Sequence, residues 1–234
     1  MIAISHVWFD LDGTLYRKTI SIEKRIRRAL TTHIAQQTGL SYAEVRREYR
    51  TQYRSNCCSH SRVFQEFGLN PRMVQEVIRS VQINKFISED KKLSRIFELL
   101  DSENTPYSIY SNNRRDTIED ILNALKVDKS QFSTIITGDS YSKTEDNAGF
   151  RYALEYSKAI EERRRRNHGY PYYHFSPRRV VFVGDRDEVE LKPAKNLGMT
   201  TLPVWANKDS QIATRTFPDI YSITNFLQEF GYLG

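Results

Sequence analysis

Two carboxylates stand two residues apart at the end of an apolar run, in Val7-Trp8-Phe9-Asp10-Leu11-Asp12-Gly13-Thr14. Side chains alternate along a strand, so Asp10 and Asp12 leave its C-terminal end on the same side. Two acids held together repel each other and are costly unless a cation or a reaction uses them. Later apolar runs end in further polar groups: Ser111-Asn112 after Tyr107–Tyr110, Lys143 after Phe132–Thr137, and Asp185 after Val180–Val183. Such a set suits reaction at a phosphate ester. A carboxylate is ionised at neutral pH and can attack phosphorus, giving an aspartyl-phosphate. The leaving alkoxide needs a proton. Hydroxyl and ammonium groups stabilise the charge spread over the equatorial oxygens, and a hard divalent cation offsets the repulsion between phosphate and carboxylates.

These groups must be carried by strand ends. Residues 2–9 read as the first strand. Ile22, Ile26, Leu30 and Ile34 recur at helical spacing, and Gly39 stops that helix. Ser41 with Glu44 forms a capping box for a second helix, whose inner face is Tyr42, Val45, Tyr49 and Tyr53. Arg54–His60 reads as a loop, a short helix holds Val63, Phe64 and Phe67, and Asn70-Pro71 starts another helix. From residue 90 onward helices (90–100, 114–125, 147–162, a stretch ending at Leu197, and 219–230) alternate with strands at 107–110, 132–137, 180–183 and 199–204. This alternation predicts an α/β fold, a Rossmann-like parallel sheet with helices on both faces, whose ligands sit beyond the carboxyl ends of the strands. A small all-helical cap, 17–89, is expected to interrupt a core made of 1–16 and 90–234.

The 234 residues are 39% hydrophobic and 27% charged, as in a soluble globular protein, and no apolar run is long enough to span a membrane. The first strand begins almost at once, so no signal peptide is expected. Cys57 and Cys58 are adjacent and suit neither a disulfide nor a metal, so a reducing, cytoplasmic setting is expected. The five histidines are scattered, which argues against zinc. Net charge is +6, and residues 17–89 hold 14 Lys and Arg against 6 Asp and Glu. A basic lobe beside an acidic core suits an anionic substrate. A nucleic acid is a second possibility rather than the expected partner.

The string Phe9-Asp10-Leu11-Asp12-Gly13-Thr14-Leu15-Tyr16, followed by Ser111-Asn112, Lys143 and Gly184-Asp185 in that order, resembles the four motifs of the haloacid dehalogenase-like hydrolases. That superfamily consists mainly of Mg2+-dependent phosphatases. The resemblance implies Asp10 as nucleophile and Asp12 as general acid, then general base. It also implies phosphate contacts from Ser111, Asn112 and Lys143, and Mg2+ held by the Asp10 carboxylate, the Asp12 carbonyl, Asp185 and Glu190. Glu190 stands where relatives usually have Asp, with Asp187 a nearby alternative, and Thr144 follows Lys143 where Pro is common. Residues 157–179 are longer and more basic than usual: the run Arg163–Arg166 is followed by Tyr170, Tyr172, Tyr173, His174 and Phe175, and reads as a solvated helix end and a long surface loop.

The resemblance extends to the phosphoglycolate-phosphatase and pyrimidine-nucleotidase groups. It implies a mobile cap that excludes water and admits a small phosphorylated metabolite, with Arg54, Asn56 and His60 as candidates for specificity. Asp12 separates this pattern from haloacid dehalogenases, which need no leaving-group acid. A phosphomutase of the same fold, or a catalytically weak binding or regulatory protein using its basic surface, are the alternatives. No membrane partner is expected, and the chain is expected to be a monomer or homodimer.

Overall fold

The computed structural model describes residues 4–55, 59–143, 147–167, 174–206, 210, 212, 213 and 215–231. Five parallel strands form one sheet in the order β3-β2-β1-β4-β5. They are β1 (His6–Phe9), β2 (Tyr107–Tyr110), β3 (Ile135–Ile136), β4 (Val180–Gly184) and β5 (Thr200–Pro203). The central strand β1 sets Val7 against Tyr107 on one side and Val181 on the other.

Alternation along these strands divides the core. Val7, Phe9, Ile109, Val181 and Val183 face one layer, with Phe97 of α5 (Lys91–Ser102), Ile118 and Ile121 of α6 (Arg115–Leu125) and Phe226 of α9 (Ile223–Gly231). Trp8, Tyr110 and Phe182 face the other, with Phe150 and Ala153 of α7 (Ala148–Asn167) and Ala194 of α8 (Lys192–Asn196). Both faces are therefore covered, as continuous apolar strands require. The Trp8 indole donates to the Ser157 hydroxyl at 2.8 Å, which satisfies the polar edge of a ring buried between sheet and helix.

Between β1 and α5 lie α1 (Ile20–Thr38), α2 (Tyr42–Ser55), α3 (His60–Glu66) and α4 (Met73–Ser80). Helix α1 packs on α2 and α4, and α3 packs on the same two. Gly39 ends α1 in the left-handed conformation, and its N–H donates to the Ala35 carbonyl. The capping box is formed: the Ser41 N–H donates to Glu44 at 2.9 Å, and the Glu44 N–H donates to the Ser41 hydroxyl at 3.3 Å. The apolar stripe Ile22, Ile26, Leu30 and Ile34 is buried with Val45, Tyr49, Val63, Phe64, Val74 and Ile78.

Several boundaries differ from the sequence reading. Tyr42 is exposed rather than on the inner face of α2. Helix α2 continues to Ser55, and α3 already begins at His60, because the Ser59 hydroxyl accepts from the Arg62 N–H and caps it. Asn70 accepts from the Arg72 N–H, so Pro71 sits in a turn and α4 starts at Met73. The third strand is only two residues long, and before it the Asp128 carboxylate caps a short turn at Lys129–Gln131. Asn56, the Cys57-Cys58 pair, Thr144, Tyr170, Tyr172 and Tyr173 lie outside the described residues.

Candidate active site

The central position of β1 brings the strand ends together. Just past its end, the Asp10 N–H donates to the Val183 carbonyl of β4 at 2.9 Å, which sets Asp10 beside the turn carrying Asp185. On the other side, the Ser111 N–H donates to the Ile136 carbonyl at 3.1 Å. The Asn112 side-chain oxygen accepts from the Lys143 N–H at 2.8 Å, so Asn112 anchors the loop that carries Lys143.

Asp10 is almost wholly buried. One carboxylate oxygen accepts from the Thr14 hydroxyl at 3.0 Å and the other from the Lys143 ammonium at 2.5 Å. The same ammonium lies 3.4 Å from Glu190 and over the rings of Tyr110 and Phe182. Glu190 is fully buried on a single π turn, Asp187–Leu191. Its oxygens accept from the Asp185 N–H at 3.2 Å and from the Arg186 guanidinium, whose Nε donates at 3.0 Å. Asp187 points elsewhere and accepts from the Ser210 hydroxyl at 2.8 Å. Glu190, not Asp187, therefore joins the cluster.

Two glycines are required by this packing. Gly13 has φ +90°, and a Cβ there would lie 2.3 Å from an Asp185 oxygen. A Cβ on Gly184 would lie 2.7 Å from Glu190.

Asp12 is held differently. Its two oxygens accept from the Tyr16 hydroxyl, at 2.5 Å, and from the Asn113 amide. Asp10 and Asp12 open onto a small chamber of about 60 Å³, bounded by Lys18, His60, Asn112, Asn113 and Arg186 among others. The Ser111 hydroxyl is fully buried and accepts from the Asn113 N–H at 3.1 Å; neither Ser111 nor Lys143 is among the described lining of the chamber. His60 reaches the chamber. Its Nδ1 pairs with the Tyr49 hydroxyl at 2.5 Å, its ring stacks on Tyr53, and burial first, then Lys18, pulls it down to about 3, so it is neutral. Arg54 is exposed on α2 and is absent from the described lining of the chamber.

Electrostatics mark the acidic cluster as short of positive charge. Burial, then Glu190, raises Asp10. Burial, then Glu190, pushes Asp185 up to about 7. Burial alone would raise Glu190, but Arg186 and Lys143 overcome it and hold it at about 2. Asp10, Asp185 and Glu190 each present an oxygen within 4.8 Å of the others, and Asp185 Oδ1 is buried with no hydrogen-bond partner among the described residues. A hard cation with oxygen ligands fits this set.

Thr14, Tyr16, Lys18, Asn113 and Arg186 were not singled out as site residues in the sequence, although each adjoins one that was or lies a few positions from it. Adjacency to a motif is the signal that could have found them.

The profile of the haloacid dehalogenase-like hydrolase family matches residues 7–204, and the chain belongs to that family. No curated protein matches the chain. Among solved structures it is similar to a HAD phosphatase from Thermococcus onnurineus, at 18% identity and TM-score 0.60, over 97% of this chain and 98% of that one. It is also similar to a hydrolase from Pseudomonas syringae, at 20% identity and TM-score 0.63, over 97% and 98% of the two chains. A β-phosphoglucomutase from Clostridium difficile, at 11% identity and TM-score 0.62 over 97% of each chain, shares the same fold. No helix among the described residues is long and apolar enough to cross a membrane.

Proposed function

We propose that this chain is a phosphatase: it hydrolyses a small phosphomonoester, with Mg2+, through an aspartyl-phosphate on Asp10. The observation that carries this reading is the pairing of Asp10 with a second, separately held carboxylate, Asp12, on one chamber. A reaction that expels halide needs no proton donor there, whereas an alkoxide leaving group does.

Asp10 attacks phosphorus as the P–O bond to the leaving group breaks, and Asp12 gives its proton to the departing oxygen. Asp12 then takes a proton from water as that water attacks phosphorus, which frees phosphate and restores Asp10. Lys143, Asn112 and the Ser111 hydroxyl would stabilise the phosphoryl oxygens, Lys143 and Ser111 from buried positions outside the described lining of the chamber. Asp10, Asp185, Glu190 and the Asp12 carbonyl would hold Mg2+, which neutralises charge on the phosphoryl group. Helices α1–α4 act as the cap, and the chamber's small volume favours a small substrate. His60, which lines the chamber, is the residue assigned to specificity in this reading.

Phosphate release from a panel of small phosphomonoesters, with Mg2+ and after chelation, tests the reading. Mg2+-dependent release supports it. An isomerised sugar phosphate without release would point to a mutase, and no reaction on any ester would leave a binding role.

Two further outcomes are expected. Tyr16→Phe removes a hydrogen bond to a carboxylate, worth about 1.5–3 kcal/mol. It should lower kcat about ten- to a hundredfold with KM nearly unchanged. An unchanged kcat would show that Asp12 needs no such support.

The second outcome concerns the metal. Asp185 is raised to about 7, so the folded chain keeps a proton that the unfolded chain has already lost. Without metal, this contribution to stability is present at low pH and fades as pH rises through 7. Ionised Asp185 binds a cation better, so the rise in melting temperature with Mg2+ should be larger at pH 8 than at pH 6. Asp185→Asn should lose most of that rise. Equal shifts at both pH values would contradict the assignment.

A further inference from the structure

A second concavity, of about 800 Å³, lies between α1 and α2 and shares no described lining residue with the catalytic chamber. Five cations line it, Lys24, Arg27 and Arg28 from α1 and Arg46 and Arg50 from α2, against the single carboxylate of Glu23 among the described residues. Glu23 is already used, since it pairs with Arg27, whose guanidinium also stands over the Tyr53 ring. Lys24, Arg28, Arg46 and Arg50 are exposed and make no ion pair among the described residues.

The arrangement is unfavourable for the empty protein. Lys24 with Arg28, and Arg46 with Arg50, are like charges one helical turn apart, a spacing that destabilises each helix. Nearby acids do not relieve them: Glu44 caps its own helix at Ser41, and Glu48 accepts from Gln52. Each pair spans about 6 Å along its helix, and the stretch from Ile20 to Thr32 of the lining runs about 18 Å. Two facing rows of cations along such a groove match a chain of repeating phosphates. Tyr42, exposed on the same lining, offers a ring face on which a base can stack.

We propose that the α1–α2 groove binds single-stranded nucleic acid, with phosphates between Lys24, Arg28, Arg46 and Arg50 and a base on Tyr42. A concave lining favours a strand over a bilayer, which presents a flat face. The inference does not depend on the phosphatase reading.

The test is fluorescence anisotropy with a labelled single-stranded RNA oligonucleotide over a range of salt. The full chain should bind at low salt. Lys24→Ala with Arg46→Ala should weaken binding at least tenfold, and should lower the slope of log affinity against log salt by about 1.4, or about 0.7 per lost phosphate contact. Tyr42→Ala should weaken binding with the salt slope unchanged. Circular dichroism checks that the variants fold, and Arg50→Gln is the milder substitute if the double variant does not. No binding at low salt, or binding that the variants leave unaltered, would overturn the proposal. So would capture by anionic phosphatidylserine vesicles in preference to RNA.

Discussion

Asp10→Asn is expected to lower Mg2+-dependent phosphate release by at least about 10⁴-fold. An amide of the same shape cannot attack phosphorus, and the loss falls on kcat. The fold should survive the change. Asp10 is buried beside Glu190 and is raised by that setting, so its charge is held at a cost. The amide removes that cost, while Lys143 keeps Glu190 as a partner at 3.4 Å. Kinetics on the best ester, together with a thermal melt, checks both statements. A variant that melts normally and retains more than about a tenth of the activity would remove Asp10 from the chemistry.

Lys143→Met should have the opposite balance, with a large loss of stability as well as activity. The Lys143 side chain is wholly buried, and its ammonium faces Asp10 and Glu190 together. Without it, Asp10, Asp185 and Glu190 share only Arg186 and, more distantly, Lys18. Removing one member of a buried ion cluster costs about 3–5 kcal/mol. For a chain of this size that is a fall in melting temperature of about 10 °C. Saturating Mg2+ should recover part of the fall, because it supplies charge to the same carboxylates. Catalysis should drop about 10²- to 10³-fold through the lost stabilisation of phosphoryl charge. A variant that melts like the parent with and without Mg2+ would show that the ammonium does not neutralise the cluster.

The sheet was legible because its strands are short apolar runs with polar ends, and those ends are where Asp10, Ser111 and Asp185 stand. Boundaries failed where a single side chain decided them. Ser59 caps α3 without an acid three residues on, and Asp128 turns the chain before β3, and neither signal stands out in a polar stretch. At the site, the sequence pointed to the carboxylates and to Lys143 but not to Thr14, Tyr16, Asn113 and Arg186, which also hold them. Whether Glu190 or Asp187 turns inward depends on a π turn and on the Ser210 hydroxyl, which lies outside every motif. Arg54 looked as well placed as His60 in the sequence. The continuation of α2 to Ser55 leaves Arg54 exposed, while the stack on Tyr53 brings His60 to the chamber. The basic character of residues 17–89 was plain in composition, but its concentration in one groove required two helices to be set side by side.

In the proposed reaction, phosphate passes through a covalent bond to Asp10. Asp12→Asn should form that bond with an aryl phosphate, whose leaving group needs no proton, but should lose the base that activates water for its hydrolysis. Rapid acid quench of this variant with Mg2+ and the aryl ester, followed by mass spectrometry of its peptides, is the most direct measurement. A phosphoryl adduct is expected on the peptide carrying Asp10, absent when Asp10 is also replaced by Asn. Release of the aryl alcohol with no adduct, or an adduct on another peptide, would contradict it.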